Sequence, residues 1–349
     1  MNNTVLLYQF DQLPIFQNRM YDSKEEAINC PKGTMRLVEN LETGLIYNDA
    51  FLPELMVYDG NYQNEQGVSP LFQLHLETVA TAIGRSMGKA NLVEVGCGKG
   101  YFLEMLLAKD FDITGFDPTY EGVNPRVKRT YFAPNVIEKA NGLILRHVLE
   151  HIQNPVAFLE QLKAANGGSG EIYIEVPCFD WIAEHRAWFD IFYEHVNYFR
   201  LADFKRMFGE VIESGKTFGG QYLYVIAELS SLRIPIIDRN NRINFPSDFT
   251  KNITEQNRTE QNSNLGWCFQ RRYICFAQGA YWPTCQHCYR YQSSKAGQIS
   301  PLHWPASSIA RTRSCWPAKR LDHLCHEFKL SRRNKTNVSS QLSLHRNRS

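Results

Sequence analysis

Three clusters in this sequence carry residue types that can bind a ligand or react with one. The first is Gly96-x-Gly98-x-Gly100, with Glu94 inside the apolar run Leu92 to Val95 and a helical pattern after it (Phe102, Leu103, Leu106, Leu107). A strand that breaks into glycines and then into a helix offers bare backbone amides to a ligand. Ile113 to Phe116 reads as a second strand ended by Asp117, whose carboxylate can accept hydrogen bonds from two ribose hydroxyls. Tyr101 stands where a dinucleotide fingerprint needs its last glycine, which disfavours a nicotinamide cofactor. The second cluster, His147-Val-Leu-Glu150-His151, follows another buried strand. Its two histidines have the spacing of a metal pair on a helix, but H-E-x-x-H is absent and no third ligand is evident, so no metal is expected. The third runs from Trp188 to Phe199 and crowds Asp190, Glu194, His195 and Tyr198 among aromatics. Histidine and glutamate need partners when buried, so this cluster is costly as plain core.

The glycine turn, with Glu94 before it, resembles motif I of class I S-adenosylmethionine-dependent methyltransferases. That resemblance implies S-adenosylmethionine as cofactor, held by Glu94, Gly96, Gly98 and Gly100, with Asp117 on its ribose. The His147 to His151 segment resembles the motif after strand four of the same superfamily, which borders the methionine end of the cofactor; Gly142 stands where the family often has aspartate. The third cluster resembles the D-x-x-x-x-E-H-x-x-Y-F signature of nucleotide-sugar C-methyltransferases. Glu194, His195, Tyr198 and Phe199 match it, Asp190 lies one residue too close, and Phe192 replaces a tyrosine. Phe218-Gly-Gly-Gln221 replaces His-Gly-Gly-Ser, and Cys30 stands alone where many members have paired Cys-x-x-Cys motifs. The resemblance implies His195 as the base that removes a proton beside a ketone, with Glu194 and Tyr198 in the catalytic group. The acceptor it implies is a small molecule of the sugar or nucleotide-sugar type. Two alternatives stay open: O- or N-methylation of another small molecule, and an inactive remnant that only binds the cofactor.

These clusters need a scaffold of alternating strands and helices. The strands at 92–95, 113–116, 142–147 and 171–176, with helices from Pro70 and Pro155, predict an α/β, doubly wound and mostly parallel sheet. Residues 1–70 read as an N-terminal cap with few periodic patterns, 71–230 as the methyltransferase domain, and 231–262 as a linker. The polar-aromatic stretches at 14–19 and 58–66 suit a ligand site or a surface loop equally. The chain of 349 residues is 43% hydrophobic, without an apolar run long enough to span a membrane. A signal-peptide pattern is missing from its start, so the expected location is cytoplasmic.

The net charge of +2 conceals two regimes. Residues 261–349 hold 14 Lys and Arg against Asp322 and Glu327, and six of the nine cysteines. No helical or strand period survives there. Cys285-x-x-Cys288, with His287 and His303 nearby, offers a zinc half-site, but the ligand spacing after Cys288 fits no zinc pattern, and no basic helix forms for nucleic acid. Permitted codons for Leu265–Arg271, Gln292–Gln298 and Asp322–Lys329, advanced by one nucleotide, yield segments that look like the C-terminal domain of the sugar C-methyltransferases. The expectation is an out-of-frame, poorly folded tail at 263–349, with the shift between about 245 and 264.

Overall fold

The computed structural model describes residues 3–57, apart from 18, 20 and 22, and residues 69–250. The stretch at 58–66, the end of the 231–262 segment and the whole 263–349 tail, with its cysteines and its frameshift reading, lie outside the described residues.

The chain begins with β1 (Thr4–Pro14), α1 (Lys24–Ile28), β2 (Lys32–Asn40) and β3 (Ile46–Asn48). These three strands pair antiparallel, so the first seventy residues hold a sheet that showed no clean period in sequence. The reason lies in β1. Its pairing with β2 shifts register between Leu6 and Tyr8 and again between Phe10 and Leu13. Each bulge turns the alternation over, which erases the two-residue pattern.

Then follow α2 (Pro70–Ser86), β4 (Leu92–Val95), α3 (Tyr101–Leu107), β5 (Ile113–Phe116), β6 (Val127–Lys128), β7 (Gly142–Arg146), α4 (Pro155–Ala165) and β8 (Glu171–Pro177). Pro70 opens α2 at a position where the missing amide costs nothing, and Phe72, His75, Leu76, Val79, Ala80 and Ile83 form its buried stripe. Next come α5 (Phe179–His185), β9 (Asn197–Tyr198), α6 (Leu201–Met207), β10 (Val211–Thr217) and β11 (Tyr222–Glu228).

The main sheet has seven strands in the order β10-β11-β8-β7-β4-β5-β6. β6, β5, β4, β7 and β8 run parallel, and β11 and β10 close the edge antiparallel. The expected doubly wound, mostly parallel sheet is what the chain forms. All four residues of β4 are buried, as are Leu143, Ile144 and Leu145 of β7, which explains why these strands read as unbroken apolar runs. From β4 the chain moves to β5 on one side, then returns to place β7 on the other. That reversal opens a crevice beyond the carboxyl ends of β4 and β7, where ligands bind in open α/β sheets.

β9 does not join this sheet. It pairs with β3, Ile46 opposite Tyr198, and so ties the third cluster to the N-terminal sheet. Among the described residues, no helix is long and apolar enough to cross a membrane.

Candidate active site

The crevice holds a cleft of about 320 Å³. Glu94, Gly96 and Gly98 come to its wall from the end of β4, Arg146, His147, Glu150 and His151 from the end of β7, and Glu194 and His195 from the loop before β9. Residues from all three clusters thus meet in one place.

The glycine turn is shaped by close approach. Gly96 has φ +72°, and a Cβ there would meet Val148 at 2.6 Å. Gly98 has φ +53° and open space where its Cβ would be, so the turn leaves that side clear. Asp117 stands behind the loop. One of its oxygens accepts the Gly98 amide at 2.8 Å and the other accepts the amide and hydroxyl of Thr119 at 2.8 and 2.7 Å. A carboxylate has about four lone-pair sites, so these bonds leave it capacity to accept more. Gly100, at φ +79°, serves as the N-cap of α3.

Glu94 is 3% exposed, and its Oε2 has no hydrogen-bond partner among the described residues. Burial pushes its carboxyl up from 4.5 to about 8, against the pull of the Arg146 charge. S-adenosylmethionine is cationic at its sulfonium and its ammonium. An orphaned buried carboxyl beside an open glycine turn fits such a group, and the residues at this end of the cleft suit it.

Beneath the other wall lies an ion network on Glu175 of β8, which is fully buried. Its Oε1 receives Arg146 Nη2 at 3.0 Å, His147 Nε2 at 3.2 Å and His75 Nε2 at 3.1 Å, while Tyr173 donates to Oε2 at 2.8 Å. Burial alone would raise the Glu175 carboxyl, but Arg146 and the histidines hold it well below its ordinary value. His147 is held by two carboxylates, Glu175 on one nitrogen and Glu150 at 3.4 Å on the other. Burial opposes its charge, yet these carboxylates outweigh burial and raise it to about 9. His147 is therefore cationic at neutral pH.

The third cluster forms a 3-10 turn at Trp188–Asp190 and a further turn closed by the His195 amide on Phe192 O, not a continuous helix. Glu194 Oε1 accepts the Gln17 amide at 3.1 Å, and its carbonyl lies 2.9 Å from His151 Nδ1. The Tyr198 hydroxyl is engaged with the Phe192 backbone, accepting its amide at 2.9 Å and donating to its carbonyl at 3.0 Å. Tyr198 thus shapes the loop that carries His195 and is not on the cleft wall. His195 sits edge-on to His151, with ring centroids 4.8 Å apart. Its Nδ1 has no hydrogen-bond partner among the described residues. Burial, with the His151 charge, lowers His195 to about 3, so its ring is neutral.

Sequence reasoning did not single out Arg146, Glu175 or Tyr222 as site residues, although Arg146 and Tyr222 line the cleft together with Gln17 and Gln221. Gln17 belongs to the polar-aromatic stretch at 14–19, and of its two readings the cleft supports the ligand site. Glu175 had a signal of its own, a carboxylate within the apolar run of β8, where burial demands partners.

Residues 65–211 match the family model described as a methyltransferase domain. Those residues carry the glycine turn at the crevice of the doubly wound sheet, so this part of the chain is similar to a methyltransferase domain. Among solved structures, the chain is similar to the plantazolicin methyltransferase BpumL in complex with a triazolic desmethylPZN analog and SAH (16% identity, 46% of this chain, 86% of that chain, TM-score 0.36). It is also similar to the N-methyltransferase NodS from Bradyrhizobium japonicum WM9 (14%, 46%, 98%, TM-score 0.34). A third is magnesium protoporphyrin IX methyltransferase (ChlM) from Synechocystis PCC 6803 with bound SAH (15%, 48%, 89%, TM-score 0.35). No curated protein matches the chain.

Proposed function

We propose that this enzyme methylates a small-molecule acceptor of the sugar or nucleotide-sugar type at carbon, with His195 as the activating residue. The observation that carries the reading is the meeting of two sets of groups in one cleft. The glycine turn and Glu94 lie on one side, and the neutral His195, its Nδ1 unpartnered, lies on the other. When bound, S-adenosylmethionine supplies an electrophilic methyl group. Glu94, Gly96 and Gly98 would hold its methionine end, Asp117 its ribose, and His147 would border the site as a fixed cation.

Attack by carbon requires that a proton beside a carbonyl be removed first, and a base must be unprotonated to accept it. His195 meets that condition. Its low proton affinity in the free protein rises when negative charge develops beside it, because a nearby anion favours imidazolium. Glu194 contributes by anchoring: its side chain holds Gln17 and its carbonyl holds His151. Tyr198 fixes the turn at Phe192. The rest of the effect is positioning of acceptor and methyl donor in a confined cleft. A cytoplasmic site of action, and a reading frame that shifts between about 245 and 264, belong to the same proposal. Sequencing the DNA across codons 240–270 tests the frame.

The test of function is His195→Gln. Binding of S-adenosylhomocysteine should stay within a few-fold of the parent, while exchange of the acidic proton of a keto-sugar nucleotide, followed by NMR in deuterium oxide, should disappear. Loss of cofactor binding together with exchange would show His195 to be structural. A parent protein that binds the cofactor but catalyses no exchange or transfer would be the inactive remnant.

A further inference from the structure

The cleft contains a second constellation, one that shares His195 with the proposed methyl transfer and adds Glu150 and His151 to it. Glu150, His151 and His195 bring one ligand atom each to within 4.8 Å of one another. Glu150 is 1% exposed, and neither of its oxygens has a well-formed hydrogen bond among the described residues. Such a carboxylate is costly to bury unless something positive completes it. His147 supplies part of that charge, but only at an ion-pair distance of 3.4 Å.

The tautomer of His151 follows from its partner. Its Nδ1 lies 2.9 Å from the carbonyl oxygen of Glu194, and a carbonyl can only accept. Nδ1 therefore carries the proton in this bond, which leaves Nε2 with its lone pair whenever the ring is neutral. A backbone carbonyl on the far nitrogen is how metal-binding histidines are usually oriented. His195 adds a ring whose Nδ1 is buried and unpartnered. Two imidazoles and one carboxylate grouped in this way are the ligand set of three-point divalent sites that keep open positions for substrate.

We propose that Glu150, His151 and His195 bind one divalent cation of the kind that takes nitrogen and oxygen ligands, with its open side toward the cleft. The third ligand was invisible in sequence because His195 lies on a different segment, brought over by the pairing of β9 with β3. A cation here would compete with His147 for Glu150. It would also take the lone pair of His195, so activation of the acceptor would pass from a base to a Lewis acid acting on an acceptor oxygen. The inference shares its cleft with the methyltransferase reading but does not depend on turnover.

The experiment is a titration of the full chain with Co²⁺, followed by metal analysis after equilibrium dialysis and by visible absorption. One Co²⁺ per chain is expected, with the weak visible bands of nitrogen and oxygen ligation. Glu150→Gln and His195→Gln should each weaken binding about tenfold or more. His185→Gln, on an exposed histidine at the end of α5, should leave it unchanged. Circular dichroism checks that each variant is folded. Footprinting of histidines with diethyl pyrocarbonate on the unaltered protein supplies the same answer without a variant. Co²⁺ should protect His151 and His195 and leave His185 labelled. The proposal is overturned by no uptake at millimolar Co²⁺, by uptake that both variants retain, by intense near-ultraviolet thiolate bands as the only signal, or by no protection of the two histidines. Binding of S-adenosylhomocysteine, measured on the same samples without metal, reports separately on the methyltransferase reading.

Discussion

Replacing Glu94 by glutamine should make the protein more stable, and by an amount that depends on pH in a defined way. Glu94 is buried at the end of β4 with Oε2 unpartnered, and its carboxyl is raised from 4.5 to about 8. A carboxyl raised in the folded state favours folding fully below its unfolded value, and that contribution is lost as pH climbs through the folded value. The window here is therefore pH 4.5 to 8. Within it, each pH unit above 4.5 removes about 1.4 kcal/mol, which amounts to roughly 3 kcal/mol at pH 7 and about 4 at pH 8. Glutamine has nearly the same shape and never ionises, so it escapes this loss. Its amide can add a constant penalty of about 1–3 kcal/mol if it finds no partner, but that penalty has no pH dependence. The assay is urea denaturation of parent and Glu94→Gln proteins at several pH values between 5 and 8. The difference in stability should swing toward the variant by roughly 3 kcal/mol between pH 5 and pH 8, a slope to which other titrating groups contribute equally in both proteins. A difference that stays flat with pH would refute the reasoning, since it would mean that Glu94 ionises freely in the folded protein. The same carboxyl should lose its proton when a cationic cofactor arrives. Calorimetry at neutral pH in buffers of different ionisation enthalpy should then show close to one proton released per S-adenosylmethionine bound.

Other outcomes follow from the same geometry. Asp117→Ala removes a charge-assisted acceptor and should weaken S-adenosylhomocysteine by about 1.5–3 kcal/mol; unchanged affinity by calorimetry would remove Asp117 from the ribose site. Gly98→Ala should fold, at a cost of about 1 kcal/mol for its positive φ, yet lose cofactor affinity, because its methyl enters the open side of the turn. Tyr198→Phe breaks both hydrogen bonds to Phe192 and should cost roughly 1–3 kcal/mol of stability, with turnover falling and cofactor affinity unchanged. Equal loss of both would place Tyr198 nearer the cofactor than its hydrogen bonds do.

The strands that carry the cofactor site were legible because each is buried on both faces and flanked by a turn of obvious chemistry. Leu92 to Val95 and the glycines after it could be read without knowing what they pack against. β10 and β9 were not legible, for different reasons. β10, Val-Ile-Glu-Ser-Gly-Lys-Thr, is half-exposed along its length and has no apolar face to betray it. β9 is two residues long, and its pairing with β3 is a contact between segments about 150 residues apart. Local propensity says nothing about a pairing of that kind.

The candidate site divides along the same line. Groups on one strand end could be grouped in advance: Glu94 with the glycines, and His147 with Glu150 and His151. What each does could not, because that depends on partners from elsewhere. His147 and His151 look equivalent in the sequence. The structure places His147 between Glu150 and Glu175, which makes it a cation, and sets His151 against the Glu194 carbonyl, which fixes a proton on its Nδ1. Tyr198 matches a catalytic signature by position, yet its hydroxyl is engaged with the backbone of Phe192. Residue type and spacing select the groups able to do chemistry. The proton each one carries, and so the role open to it, is set by neighbours that only the fold supplies. His195 is the sharpest case, because the same buried, neutral ring can accept a proton or bind a cation. Which it does depends on whether Glu150, brought over from the end of β7, is matched by His147 alone or by a metal as well.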